Sequence, residues 1–212
     1  DEDDEDENVD FNGLLNQGAT CYINSSIQTF FHLPFFRNAI YQINFSAGTV
    51  GFELQSLFYN LERSRTSCST RNFTRSLGMS DASVQVDEDI QEFLVNLMDT
   101  IQNTIDDDPV HKDDLRYIFD GQTKFIIKRL NGEVLNTSIE NFNQLLIGVM
   151  HSISDSLKVQ FGKDTIEDYL VGDREETVET QTKIVKPPRV LQIILKRYKQ
   201  SLVSNSIFKD NS

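Results

Sequence analysis

The sequence predicts an α+β fold in at least two parts, and three observations carry that prediction. Apolar residues recur at helical spacing through the first half of the chain. Past Tyr117 alternation and turn signals take over. Between the two textures stands a charged, proline-containing loop, Asp106–Asp114 (DDDPVHKDD). With 38% hydrophobic and 10% aromatic residues, the 212 residues can build one packed core or two small ones, which excludes disorder throughout.

Ile23, Ile27, Phe30 and Phe31 mark the buried face of a helix from Tyr22 to Leu33. Pro34 punctuates, and Phe35–Tyr41 forms a short second helix. Val50, Leu54, Leu57, Phe58 and Leu61 mark a third, followed by a polar connector, Ser64–Arg71, and a short helical stretch, Phe73–Leu77. The best-marked helix runs from about Asp87 to Ile105. Ile90, Leu94, Leu97 and Ile101 line one face of it, and Asp87, Glu88 and Asp89 sit favourably at its positive end. In the second half, Lys124–Leu130 and Val134–Phe142 flank Asn131-Gly132 and predict a β-hairpin with an Asn-Gly turn. Leu145–Met150, Thr180–Lys186 and Val190–Tyr198 read as strands, and Ser154–Phe161 as a short helix.

The formal net charge is −13, and it is unevenly spread. Residues 1–10 (DEDDEDENVD) hold eight acids and no base, so they read as a solvated, disordered leader. The rest carries 25 acids against 20 bases, which is no basic surface for a nucleic-acid backbone. No apolar run approaches ~18 residues, so a helical membrane span is excluded. Two cysteines, Cys21 and Cys68, make no disulfide framework and point to a reducing compartment. A Cys₄ or Cys₂His₂ metal site lacks its ligands, so neither metal nor other cofactor is expected.

The chemistry concentrates in Asn12–Gln28, NGLLNQGATCYINSSIQ. Cys21 stands where the first helix begins. The dipole and the unpaired N–H groups of a helix start both favour thiolate, the form that attacks. Asn16 lies five residues upstream across a glycine-containing loop able to fold its amide back beside the sulfur. An oxyanion donor placed there is worth ~3 kcal/mol. The alternative is a cysteine used as a small apolar filler, and helix-start placement leaves both readings open. Cys68, in a Ser/Thr/Arg connector, reads as an incidental thiol.

Gly13-Leu14, Asn16, Gly18, Thr20-Cys21-Tyr22, Asn24 and Gln28 resemble the Cys box of the ubiquitin-specific proteases, G-L-x-N-x-G-x-T-C-Y-x-N-x-x-x-Q. Further matches follow in family order. Asp89, Gln91, Glu92 and Phe93 are similar to the D-A-Q-E-F motif, with Ile90 in the Ala slot. Phe119 and Gly121 resemble F-x-G, Leu170, Gly172 and Asp173 resemble the L-x-G-D of E-x-L-x-G-D with Glu167 one residue further upstream, and Pro187-Pro188, Leu191 and Leu195-Lys196-Arg197-Tyr198 resemble the P-P-x-x-L…L-K-R-F strand. The absence of C-x-x-C pairs is similar to the zinc-free type that includes the herpesvirus-associated ubiquitin-specific protease.

The resemblance implies a papain-like cysteine protease fold of the thumb–palm–fingers type. Residues 11–115 would be a helical thumb, 116–186 a fingers-like β region, and 187–212 the start of the palm sheet, its C-terminal part missing. It further implies a deubiquitinase that cleaves after the C-terminal glycine of ubiquitin. Cys21 would be the nucleophile and Asn16 the oxyanion donor, while Asp89 and Gln91 would bind the ubiquitin tail, whose arginines suit a carboxylate. Ubiquitin and ubiquitinated proteins are the implied partners, for a cytoplasmic or nuclear monomer that binds neither nucleic acid nor membrane. On spacing alone Asp89 and Glu92 also read as a solvated helix start.

Such an enzyme needs a histidine base, which the family supplies late in a G-H-Y motif. His32 ends the helix that Cys21 begins, about 16 Å away at 1.5 Å per residue. His111 lies in the charged loop. His151 lacks the flanking Gly and Tyr and precedes the E-x-L-x-G-D segment, against the family order. The base is therefore expected beyond Ser212, and the chain starts without an initiator methionine, as an excerpt would. The 212 residues alone are expected to be inactive and, with an unpaired sheet edge, poorly soluble. The competing expectation is a non-catalytic ubiquitin-binding or scaffold module of the same fold. A papain-like peptidase with unrelated substrates is disfavoured, because the matches continue for nearly 200 residues past the cysteine.

Overall fold

The computed structural model describes residues 12–80, 82, 84, 89–200 and 207–209, with 198–200 and 207–209 described through their backbone alone. The expected leader, and Asp87 and Glu88, lie outside the described residues. The chain divides after Leu115 into two compact units.

The first unit is helical: α1 (Cys21–Phe31), α2 (Pro34–Gln42), α3 (Val50–Arg63), α4 (Arg71–Ser76) and α5 (Ile90–Ile105). Pro34 is the first helical residue of α2, where its missing N–H and fixed φ cost nothing. Gln55 of α3 donates from Nε2 to the carbonyls of Ile40 (2.9 Å) and Ile43 (3.2 Å), satisfying the end of α2. The apolar stripes meet in an aromatic core. The Phe36 ring lies 4.8 Å from Phe30 and 6.2 Å, edge-on, from Phe58, with Ile23, Ile27, Leu54, Leu97 and Ile101 fully buried around it. Two short strands, β1 (Leu14–Leu15) and β2 (Cys68–Ser69), pair in parallel. The polar connector thus contains a strand, and its Cys68 is buried.

The second unit carries most of α6 (Asp114–Phe119), a helix that sequence periodicity does not reveal, then β3 (Gly121–Arg129), β4 (Val134–Phe142), β5 (Gln144–Gly148), α7 (Ile153–Gln160), β6 (Lys163–Val171), β7 (Arg174–Lys186), β8 (Gln192–Lys196), β9 (Tyr198–Gln200) and β10 (Ile207–Lys209). Strands β3, β4, β6 and β7 form an antiparallel sheet in the order β4-β3-β7-β6. Ile127 and Val178 are its buried apolar residues, and the outer strands β4 and β6 are largely exposed. Strands β5 and β8 pair in parallel, Gln144 against Gln192 through Gly148 against Lys196.

Two turns show what the local sequence demands. Between β3 and β4 the chain makes a turn from Arg129 to Gly132, with Gly132 N–H donating to the Arg129 carbonyl at 2.8 Å and Gly132 at φ 92°. That loop is longer than the two-residue Asn-Gly turn expected. Asn131 instead accepts the Glu133 N–H on its side-chain oxygen at 2.9 Å. Between β6 and β7, Gly172 (φ 63°) and Asp173 form a two-residue turn. At the start of β3, a Cβ on Gly121 would stand 2.5 Å from the Phe142 ring and 2.9 Å from the Lys186 carbonyl oxygen, so only glycine fits.

Candidate active site

The Cys-box segment is held from both sides before the helix begins. Gly13 C=O accepts the Cys68 N–H (2.8 Å) through the β1–β2 pairing, and Ala19 N–H donates to the Val84 carbonyl (2.8 Å). Asn12 donates from Nδ2 to the carbonyls of Leu61 (3.0 Å) and Ser64, while its own carbonyl accepts Nε2 of Gln28 (2.9 Å). Gln28, near the far end of α1, therefore packs and ties down the loop. Gly18, at φ 135°, supplies a backbone conformation that side chains resist.

This loop delivers Cys21 to the first position of α1 with its thiol exposed. The cap that precedes it is unusual. Thr20 has φ −96° and ψ 18°, and its hydroxyl makes no capping bond to α1. That hydroxyl donates instead to Oδ1 of Asn16 at 2.8 Å and accepts the Gln17 N–H at 3.0 Å. The same Oδ1 also accepts the backbone N–H groups of Gly18 and Thr20, both at 3.3 Å. With its oxygen turned inward onto three donors, exposed Asn16 has only its amide N–H₂ left to offer outward. Behind the loop, Gln17 donates from Nε2 to the buried hydroxyl of Thr70 at 2.6 Å, and Thr74 lies within 3.4 Å.

The start of α5 lies against the start of α1. Tyr22, beside the cysteine, packs edge-on against Phe93 in the first turns of α5, with ring centroids 5.3 Å apart. Asp89 is the N-cap of α5, its Oδ1 accepting the Gln91 N–H at 2.7 Å, and its side chain is exposed. Gln91 follows in the first turn, half-buried. The ring pair thus joins the helix start bearing Cys21 to the one bearing Asp89 and Gln91. Residues 67 to 72 positions apart form one locality.

Neither histidine of the first unit belongs to it. His32 caps the opposite end of α1, its ring edge-on to Phe31. His111 holds the Asp114 carboxylate at 2.8 Å from Nδ1, in a loop where Asp108 accepts the N–H groups of Val110 and His111. Those backbone donors keep the Asp108 carboxyl below its usual range.

Residues 12–211 match the profile of one family, ubiquitin carboxyl-terminal hydrolase. The chain belongs to that family. Ubiquitin carboxyl-terminal hydrolase 15 of Schizosaccharomyces pombe is 31% identical over 209 residues, which cover 94% of this chain and 18% of the relative. Ubiquitin C-terminal hydrolase 13 of Arabidopsis thaliana is 29% identical over 218 residues, covering 95% and 19%. Ubiquitin carboxyl-terminal hydrolase 7 of Caenorhabditis briggsae is 30% identical over 207 residues, covering 92% and 18%. The chain therefore spans less than a fifth of the length of these relatives. Among solved structures, the SAGA DUB module Ubp8/Sgf11/Sus1/Sgf73 bound to monoubiquitin contains a chain with TM-score 0.79 and 21% identity, over 94% of this chain and 50% of that one. The same module bound to ubiquitin aldehyde gives TM-score 0.76 at 22% identity, over 93% and 49%. The α+β, papain-like fold expected from the Cys box is the fold of this ubiquitin carboxyl-terminal hydrolase domain.

Within the family pattern, sequence reasoning named Cys21, Asn16, Asp89 and Gln91 but missed what holds them. Thr20 was legible as a motif position and, by helix rules, as an ordinary N-cap. Gln17, Thr70 and Thr74 carry no local signal, because their bonds span 53 and 57 residues.

Proposed function

We propose that this chain is the part of a thiol-dependent deubiquitinase that supplies the nucleophile and an oxyanion donor. The observation that carries the reading is an exposed Cys21 at an open helix start, five residues from an Asn16 whose carbonyl is anchored and whose amide is free. In this reading the Cys21 sulfur attacks the carbonyl carbon of ubiquitin's C-terminal glycine. The carbonyl electrons move onto oxygen, where the Asn16 amide donates to them. Collapse breaks the carbon–nitrogen bond and the lysine amine leaves with a proton. Water then hydrolyses the thioester, releasing the ubiquitin carboxylate and restoring the thiol. Asp89 and Gln91, beside the cysteine through the Tyr22–Phe93 pair, receive the basic tail of ubiquitin. Asp89 spends one carboxylate oxygen on its helix and keeps the other for an arginine.

The proton acceptor belongs, in this proposal, to sequence outside these 212 residues, and the isolated chain turns over no substrate. Residues 11–115 act as the thumb, 116–186 as the fingers and 187–212 as the first part of the palm. The protein works as a monomer in the cytoplasm or nucleus. A non-catalytic ubiquitin-binding module is the second reading, favoured by the engagement of His32 and His111 elsewhere in the first unit.

Ubiquitin vinyl sulfone labelling and fluorogenic ubiquitin hydrolysis by the complete protein separate the two. A covalent adduct lost in Cys21→Ala, together with turnover, is expected. Ubiquitin binding without adduct or turnover sinks the enzyme reading and leaves the scaffold.

A further inference from the structure

At the N-cap of α1 the structure departs from ordinary helix chemistry. A threonine in that position normally turns its oxygen onto the second or third backbone N–H of its own helix. Thr20 does not, and neither does Thr70 at the start of α4, whose hydroxyl accepts Gln17 Nε2. Both hydroxyls are fully buried and both are spent on the loop between them. A buried hydroxyl that abandons a cap worth about 1 kcal/mol needs a compensating partner. For Thr20 that partner is Oδ1 of Asn16.

The alternatives available to Asn16 show why this matters. A carboxamide can rotate to present either its oxygen or its N–H₂, and the two ends are nearly the same shape. Only the N–H₂ end can donate to an oxyanion. The backbone donors of Gly18 and Thr20, at 3.3 Å, hold the oxygen inward weakly. The Thr20 hydroxyl, at 2.8 Å, is the short bond of the three. Its proton goes to Asn16, while one of its lone pairs takes the Gln17 N–H. Flipping the carboxamide would set an N–H₂ against two backbone N–H donors and leave the buried Thr20 proton without its acceptor.

We infer that Thr20 is a positioning residue, which locks the Asn16 carboxamide with its N–H₂ outward rather than capping α1. The inference rests on the proposed role of Asn16 as oxyanion donor. Gln17, anchored on Thr70 and Thr74, carries the N–H that orients the Thr20 hydroxyl, so the polar layer between the loop and α4 belongs to the same device.

The test is a double-mutant cycle on the complete protein, read as kcat and KM for fluorogenic ubiquitin hydrolysis, with melting temperature measured alongside. Thr20→Val removes the hydroxyl at nearly constant volume and should lower kcat about tenfold or more, with KM unchanged, as misplacing a catalytic group does. Thr20→Ser keeps the hydroxyl and should hold kcat near the parent value even where it lowers the melting temperature. In an Asn16→Ala background, Thr20→Val should cost nothing further, because the group it positions is gone. Full additivity with Asn16→Ala overturns the inference, as does a Thr20→Ser rate that falls in step with stability. If Asn16→Ala itself leaves kcat unchanged, the oxyanion role has failed, a separate result from failure of the positioning role.

Discussion

At the scale of single residues, the two cysteines separate by environment rather than by chemistry. Cys21 is exposed at a helix start, and Cys68 is buried in the short β2 strand, its sulfur 3.8 Å from the Thr66 carbonyl. Brief iodoacetamide treatment of the folded protein should carbamidomethylate Cys21 and spare Cys68 until denaturant is added. Peptide mapping by mass spectrometry reads this directly, and equal native labelling of both would contradict the burial of Cys68. The sequence showed Cys21 through its motif. It did not show that Cys68 belongs to the same structure, since the contact between Gly13 and Cys68 closes a loop of more than fifty residues.

At the scale of elements, α5 shows a residue of the fold on which the proposed site also draws. Asp89 caps the helix through Oδ1 and stands exposed beside Gln91. Asp89→Ala removes both the cap and the carboxylate and should cost about 1 kcal/mol of stability, as lost caps do. Asp89→Ser keeps the cap and removes the charge. If the carboxylate receives the basic tail of ubiquitin, the serine variant keeps the parent melting temperature while KM rises several-fold. A serine variant with parent KM refutes the tail contact.

The helices with long apolar stripes were legible because burial on one face writes a period of 3.6 into the sequence. Helix α6 and strand β6 are among the elements that were not. Helix α6 has six residues, too few to write a period. Strand β6 is exposed on both sides along most of its length, so it has no inward face to alternate with. Strand β7 shows its C-terminal part in the sequence but begins six residues earlier than Thr180, where Arg174–Glu176 reads as ordinary charged surface. The loop from β3 to β4 kept its Asn and Gly yet took a longer form, because Asn131 bonds the Glu133 N–H and Gly132 alone adopts positive φ.

At the scale of the molecule, the second unit relies on strand pairing and charge more than on apolar burial. Its clearest cross-strand tie is Arg129 of β3, which donates to both carboxylate oxygens of Glu176 on β7, at 2.7 and 3.2 Å, and to Glu133 at 2.7 Å. Those bonds hold the Glu176 carboxyl below its ordinary value of 4.5. An acid depressed in the folded state adds stability that is present above its unfolded value and lost as pH falls through the folded one. Both side chains are about a third exposed, so the contribution is small. Arg129→Met should therefore lower the melting temperature at pH 7 and leave it unchanged near pH 2. An equal loss at both pH values would assign the effect to packing of the arginine stem. Asp120, at the start of β3, acts in the opposite sense: burial raises its carboxyl, only partly offset by Arg116 and Lys186, so it favours the fold at low pH.

The sequence by itself determined the α+β class, the family, and the four residues that carry the proposed chemistry. Each of these is written locally, as a helical period, a turn, or a fixed spacing within a short motif. The tertiary structure decided how those residues are held: which way the Asn16 amide faces, what the Thr20 hydroxyl does, and that Tyr22 and Phe93 bring two helix starts together. Those outcomes depend on hydrogen bonds and ring contacts between residues up to 71 positions apart. A side chain's partner across such a distance is chosen by the packing of whole helices, and no spacing rule within one segment encodes it.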